Sequence, residues 1–484
     1  MVGLSSAPSN LSPFFATDAN SQNIGRLLYL TLTDFGRDMS FNCRACESFS
    51  ESFKGSKHVL KFKLRHDLKF WDGAPITAQS VFDAWKLFTT EESPKSIFRF
   101  AFNKIESFKI VNDYELELIY PSYSADNLSD LALLKILKVK EGGDPKNVED
   151  LVGSGPYRLQ QSSALGVKLT PAFESAREVL NFKVVKDETT LALKMMNKEI
   201  DLSVAQLSPR KVNWIEKNVD DLNIVSERGT NYIYIGLNHK NEHLGKEQFR
   251  VALDYLIPRE KLVKYKMKET ASLATSLFSP SFTSLFQEGL SPVHYNPEKA
   301  REIFLKLGYK IEDGILSYNS KPVQFDWKIS NNKATEEIVD AIIDEFSKAG
   351  LKVTKTVQEW GTFMRSMKTG QFDLVMSQWV GFTGPGMLSY VFSSHSYPPA
   401  GANRGYFLNE KLDQLLDAAS GPMTTQQRLE NYRQATQIAV NERAYLSLWH
   451  PDIIWIARNC LKGVSPYPNG NFLPLLDIKM SGCQ

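Results

Sequence analysis

Apolar and polar positions along the chain follow two rhythms, period two and period 3.6, and their succession outlines the elements. From His58 to Arg65, Leu60, Phe62 and Leu64 fall on one face, which predicts a half-buried strand. Trp71-Asp72-Gly73-Ala74-Pro75 reads as a turn, and Thr77 as the cap of a helix with Val81, Trp85 and Phe88 along one stripe. Residues 105–120 predict a hairpin that turns at Asn112-Asp113. Earlier, Leu27, Leu28, Leu30 and Leu32 predict a short helix over Ile24–Thr33, after the turn-rich opening Ala7-Pro8-Ser9-Asn10-Leu11-Ser12-Pro13. Residues 182–205 give strand, helix, strand. Asn231 to Asn238 alternates as a strand and leads into a helix over Phe249–Leu256.

The later chain alternates strand and helix, which predicts an α/β lobe. Pro297 opens a helix that stops before Gly308. Ile338, Ile342 and Phe346 stripe another helix, closed by Gly350. Strand Leu351–Val357, helix 361–368 and strand Phe372–Met376 follow. Tyr445-Leu446-Ser447-Leu448-Trp449-His450-Pro451 is a further strand, and the last 30 residues return to strands. The strand before Asn238 and the one holding Leu448-Trp449 are expected side by side, as ordered passages between two lobes.

The chain has 484 residues, beyond the roughly 250–300 at which one core stops growing. Its formal net charge is +2, with Lys and Arg spread evenly, so no nucleic-acid stripe or basic membrane tail stands out. No apolar run reaches 18 residues, the length that would read as a membrane-spanning helix. Met1-Val2-Gly3-Leu4 carries no basic n-region or apolar h-region. That fits a cytoplasmic protein, or a mature exported one whose signal was replaced by a start Met.

The strongest candidate for a binding site is Ser377-Gln378-Trp379-Val380-Gly381-Phe382-Thr383-Gly384-Pro385-Gly386. It follows a buried strand, and ligands of open α/β sheets bind beyond strand carboxyl ends. Glycine lets a ligand approach the backbone, and aromatics supply rigid contact area. The alternative for Trp379 is a core side chain at an ordinary strand exit. Aromatics near strand ends, Tyr232, Tyr234, Trp360, Trp379, Phe382 and Trp449, form the wider candidate set, with His450 beside Trp449.

No G-x-S-x-G elbow, H-E-x-x-H or phosphate loop is present, and Gly153-Ser154-Gly155-Pro156-Tyr157 lacks the Lys-Ser/Thr ending. His239 and His243 are four apart but sit in a polar passage without a third ligand. Cys43-Arg44-Ala45-Cys46 is a lone C-x-x-C. With Cys460 and Cys483 it allows two disulfides in three connectivities, and zinc is not expected there. No cofactor or metal is expected anywhere in the chain.

Several motifs in order resemble the family 5 extracellular solute-binding proteins, the dipeptide, oligopeptide and nickel receptors of ABC importers. Leu64-Arg65-His66-Asp67-Leu68-Lys69-Phe70-Trp71-Asp72-Gly73-Ala74-Pro75-Ile76-Thr77-Ala78-Gln79-Ser80-Val81 is similar to that family's signature. Gly153 to Tyr157 is similar to its G-T-G-P-Y. Gly236-Leu237-Asn238 with Phe249-Arg250-Val251-Ala252-Leu253, and Asn296-Pro297-Glu298-Lys299-Ala300 with the helix to Gly308, complete the series.

The resemblance implies an α/β protein with the two-lobed periplasmic-binding-protein type II fold and an extra inserted α+β subdomain. A core lobe would be built from 1–40, 151–238 and 449–484, the small lobe from 41–150, and a second α/β lobe from 239–448. It implies export to the periplasm or cell exterior, with lipid anchoring as a lipoprotein as a further expectation. It implies a non-enzymatic receptor that takes a small solute, peptide or peptide-like, to an ABC permease. A monomer without nucleic acid is expected. The competing readings are an interlobe-cleft hydrolase and a degenerate member that binds a partner protein or a non-peptide solute. The ligand contacts expected are Trp379, Val380, Gly381, Phe382, Tyr232, Trp449, His450 and Asn10. The peptide binders place an aspartate three residues after the tryptophan to hold the α-amine; here that residue is Phe382. The end of the ligand near Phe382 is therefore expected to be uncharged or apolar.

Overall fold

The computed structural model describes residues 1–92, 95–174 and 177–482. The chain divides into two compact units, Met1–Glu227 with Ser420–Pro422 and Ile453–Gln484, and Arg228–Ala419 with Met423–Asp452. It passes from the first to the second after Glu227 and returns after Asp452.

In the first unit, period-two alternation places Leu60, Phe62 and Leu64 in the core, on the strand Lys57–Leu64. That strand belongs to a four-stranded antiparallel sheet with Cys46–Lys54, Glu115–Tyr120 and Ser107–Asn112. Helix Ala78–Thr89 packs nearby; Thr77 opens it with a capping box completed by Ser80. The larger sheet has seven strands, from edge to edge Tyr157–Ser163, Gly166–Pro171, Leu180–Val184, Val2–Leu4, Leu202–Val204, Ile453–Arg458 and Leu222–Glu227. Leu180–Val184, helix Glu188–Met196 and Leu202–Val204 form a βαβ passage whose two strands lie parallel to Val2–Leu4, one on each side. One apolar core runs from Phe62, Leu116 and Phe88 to Leu169, Phe182 and Trp455, so the small sheet shares the core of this unit.

The first helix differs from the sequence expectation. It spans Ala19–Leu28 and starts early because the Asp18 carboxylate caps it, accepting from Ser21 N at 2.9 Å. Leu30 and Leu32 leave the helix for extended chain, where Leu30 bridges Ile136. The helix exit is fastened by the Gly153–Tyr157 loop. Ser154 Oγ accepts from Leu30 N at 2.9 Å and donates to Ile136 O at 2.5 Å. A Cβ on Gly155 would stand 2.4 Å from Leu27 O, so the close approach requires glycine. The loop is a structural clasp.

In the second unit, six strands run in the order Ala271–Leu273, Tyr445–Pro451, Tyr232–Leu237, Leu374–Trp379, Gln324–Ser330, Lys352–Gln358. Tyr232–Leu237 is antiparallel to both neighbours, with Ile233 opposite Trp449 and Tyr232 opposite Trp379. The two strands expected side by side are therefore adjacent, and both lie inside this unit. Gln324–Ser330, helix Lys333–Lys348, Lys352–Gln358, helix Trp360–Lys368 and Leu374–Trp379 follow one another with the strands parallel. Ile338, Ile342 and Phe346 are buried, and Gly350 ends that helix region with φ +88°.

Two sets of buried polar side chains hold the unit together. Asp254, buried, accepts from Arg259 at Oδ1 and from Arg443 Nε at Oδ2, 3.1 Å away. Arg259 also donates to Ser447 O at 2.6 Å, tying the helices to the Tyr445–Pro451 strand. His239 and His450 are the second set. Burial lowers the His239 pKa to about 3 and that of His450 to about 4, so both rings are neutral. His239 and His243, four apart in sequence, do not share a metal position, because His243 turns away to Tyr309 OH at 2.8 Å while His239 lies beside Ala444 O at 3.2 Å.

Removing Asp254 strands two cations, and a broken buried pair costs about 3–5 kcal/mol. Asp254→Ala is expected to lower unfolding stability by that amount in urea denaturation, with Arg259→Lys only partly tolerated because the planar fork is lost. Acid gives a second expectation. Unfolded histidines take up protons below pH about 6.5, whereas these two resist until pH about 4 or lower, so unfolding binds protons. Stability is full above pH 6.5 and falls as pH drops toward 4, by about 1.4 kcal/mol per unit for each ring. Urea midpoints across this range should show a shallower slope for His450→Asn than for the natural protein.

Candidate functional site

Strand Leu374–Trp379 ends in the candidate loop, and the loop's backbone departs where the sequence places glycine. Gly381 has φ +67° with open space at its Cβ position, and Val380 is exposed. Gly381 N points at Asn231 Oδ1, 3.4 Å away, and His450 Nδ1 lies 2.9 Å from Asn231 O. His450 thus stands behind the loop and steadies the residue that the loop leans on.

Trp379 is half-buried in an aromatic file. Its ring lies 6.0 Å from Tyr234, nearly parallel, and Tyr234 stacks on Tyr445 at 4.1 Å and on Tyr232 at 5.6 Å. Tyr232 is buried, with its hydroxyl 2.7 Å from Ser447 Oγ. Trp449 is buried in the apolar core of the unit. On the other side of Trp379, the Arg404 guanidinium carbon sits 5.1 Å from the ring centroid, a cation–π contact. Phe382 turns inward, stacked on Phe282 at 5.5 Å and edge-on to Phe278 at 6.2 Å. Asn10 belongs to the first unit, where its Oδ1 accepts from Ser12 N at 2.8 Å in a local turn.

Beside the same strand end opens a cavity of about 420 Å³. It lies beyond the carboxyl ends of the parallel strands, the position at which open α/β sheets take ligands. Ser330 and Asn331 come from one strand end, Ser377 and Gln378 from another, and Trp360 and Phe363 from the helix that follows the third. Trp360 is 58% exposed, and its helix begins at the Glu359 carboxylate, which accepts from Gly361 N at 2.8 Å. Asn332 caps the neighbouring helix by accepting from Thr335 N at 3.0 Å. Amides and hydroxyls beside a free indole suit hydrogen bonding and stacking with an uncharged, polar solute.

Sequence reasoning placed Trp379, Val380 and Gly381 at this strand end. It ranked Trp360 only among general aromatics and did not single out Asn331, Thr335 or Arg404. Trp360 follows a predicted strand directly, which was the available signal. Arg404 carries no local pattern that would mark it.

The family model "Bacterial extracellular solute-binding proteins, family 5 Middle" matches residues 50–400. The chain is 24% identical to the oligopeptide-binding protein AppA of Bacillus subtilis (strain 168), over 97% of this chain and 89% of that protein. It is 22% identical to the glutathione-binding protein GsiB of Escherichia coli (strain K12), over 98% and 93% of the two chains. Among solved structures, HbpA2 from Haemophilus parasuis superposes with a TM-score of 0.86 at 21% identity, covering 99% of each chain. AppA from Bacillus subtilis in complex with a nonapeptide gives 0.71 at 22% identity, covering 99% and 98%. The fold is the periplasmic-binding-protein fold of these proteins. The 73% of the chain spanned by the family match, with the ordered motifs and the strand-end loop, makes this chain a member of the bacterial extracellular solute-binding proteins, family 5, the substrate-binding components of ABC importers.

Proposed function

We propose that this protein captures a peptide or peptide-like solute outside the cytoplasmic membrane and hands it to an ABC permease. The observation that carries the reading is the strand-end cavity of the second unit, where backbone-like hydrogen-bonding groups stand beside the exposed Trp360. The names of the relatives, an oligopeptide-binding and a glutathione-binding protein, agree with a peptide-like solute. The Cys43–Cys46 disulfide agrees with an oxidising compartment. In that state neither sulfur is a thiolate ligand for zinc. The second disulfide that this pairing leaves open would join Cys460 to Cys483, and Cys483 lies outside the described residues.

Trp379, Val380 and Gly381 are the proposed direct contacts, with Asn10 from the first unit. Tyr232, Trp449 and His450 are buried in their own unit and are proposed to position the loop. Phe382 sits in an apolar trio, so it gives no counter-charge to an α-ammonium. The proposed lobes are 1–40 with 151–238 and 449–484, the insert 41–150, and 239–448. They would close about the two crossing segments between them. The protein works as a monomer, binds no nucleic acid and performs no turnover. Lipid anchoring at the membrane completes the proposal.

Mass spectrometry of material released on denaturation identifies the solute class, and calorimetry then measures it. An unpaired buried ammonium costs several kcal/mol. Short peptides with a blocked N-terminus should therefore bind at least as tightly as the same peptides with a free amine. A clear preference for the free amine overturns the apolar end at Phe382. Trp360→Ala should leave stability within about 0.5 kcal/mol, as for an exposed side chain, yet weaken solute binding by about tenfold or more. Unchanged affinity would remove the cavity from the site.

A further inference from the structure

A second cavity, of about 390 Å³, lies wholly within the first unit, away from the strand-end loop. The Cys43–Cys46 disulfide forms part of its rim, and Arg44 and Lys69 reach into it together with Arg65. The C-x-x-C motif places Arg44 inside a four-residue covalent ring. Backbone hydrogen bonds fix that ring further, Arg44 N to Leu32 O at 2.9 Å and Ala45 N to Thr31 O at 3.0 Å. A flexible side chain is thus mounted on a rigid base, the arrangement a recognition residue needs.

The charges are unbalanced. Asp67, the carboxylate on the cavity wall, is already gripped by Arg65 through two bonds, at 3.0 and 2.6 Å. Neither Arg44 nor Lys69 makes an ion pair among the described residues. Behind the wall, Asp34 is buried and bonded to Arg26 at 3.0 Å, and the buried Lys135 Nζ donates to Ala132 O at 2.6 Å. Arg26 and Arg44 therefore share one carboxylate, and burial beside them lowers the Lys135 pKa to about 7. Burial and the repulsion of Arg26 and Arg65 lower the pKa of Arg44, with Asp34 and Tyr467 acting in the other direction. A half-buried guanidinium beside other cations, with no carboxylate of its own to pair with, is a locally unfavourable arrangement, and such arrangements concentrate at functional sites.

We propose that this cavity binds a small oxyanion carrying two or more negative charges, a phosphate or a polycarboxylate, with Arg44 and Lys69 as its anchors. Guanidinium groups accept phosphate and carboxylate oxygens in paired, charge-assisted bonds. The site is independent of solute capture at the strand-end loop. Its occupancy would cancel the repulsion around Arg44 and stiffen the disulfide loop.

Thermal unfolding and calorimetry of the intact protein, with inorganic phosphate, citrate and chloride at matched ionic strength, test the proposal. Phosphate or citrate should raise Tm saturably and chloride should not; the two arms separate a phosphate site from a carboxylate site. Arg44→Gln should weaken anion binding by about tenfold or more while its Tm in chloride is equal to or above that of the natural protein, because repulsion is relieved. Lys69→Gln should weaken it similarly, and as an exposed change it keeps the test valid if Arg44→Gln folds poorly. Equal effects of chloride at matched ionic strength, or unchanged anion affinity in both variants, overturn the proposal.

Discussion

The second unit depends on one strand, Tyr232–Leu237, every residue of which is buried. It pairs on both edges, along its whole length with Leu374–Trp379 and over Ile233–Gly236 with Tyr445–Pro451, and moving it by one residue would exchange its two faces. Ile233, Ile235 and Leu237 enter the apolar core, while Tyr232 and Tyr234 start the aromatic file that reaches Trp379. Gly236 is needed between them, because a Cβ there would stand 2.9 Å from Val375 Cγ2. The register that fills the core also aligns Tyr232 with Trp379 at the strand end. Packing and loop placement therefore come from the same constraint.

Much of this was legible because it is local. The alternation around Leu60, the Thr77 cap and the glycines after two helices each express a period or a backbone angle within a few residues. The helix at Ala19 was misplaced because Leu30 and Leu32 suit an extended chain as well as a helical stripe; a capping carboxylate at Asp18 decided between them. The cavity was not legible as a unit. Its walls come from residues 233, 330–335, 360–363 and 376–378, which only the parallel strand order brings together. Phe382 likewise finds Phe278 and Phe282 about 100 residues away, a partnership without a sequence signal.

The treatment of buried charge separates structural arginines from the exceptional one. Arg250 is enclosed by backbone carbonyls, donating to Leu244 O and Gly245 O at 3.0 Å and to Glu442 O at 2.9 Å. Burial still lowers its pKa to about 10, but the ion keeps its hydrogen bonds. Arg259 has a carboxylate and three carbonyls. These groups organise connections between helix and strand, and their positions follow from the fold. Arg44 is only half-buried and has, among the described residues, neither a carboxylate pair nor a shell of carbonyls, which is why its role is sought outside the fold.

At the strand end the same contrast operates in apolar terms. Phe382 and Trp379 are three residues apart yet face different surroundings, one an all-phenylalanine trio, the other tyrosines and the Arg404 guanidinium. A guanidinium over an indole is held by about 0.5–2 kcal/mol, less than a buried ion pair, so it can turn toward an incoming anionic group at small cost. An ammonium brought to this edge would meet the Arg404 guanidinium near Trp379 and no carboxylate at Phe382. The substitution of phenylalanine for the family's aspartate is thus matched by its surroundings, since an aspartate placed among Phe278 and Phe282 would be a desolvated charge without a partner.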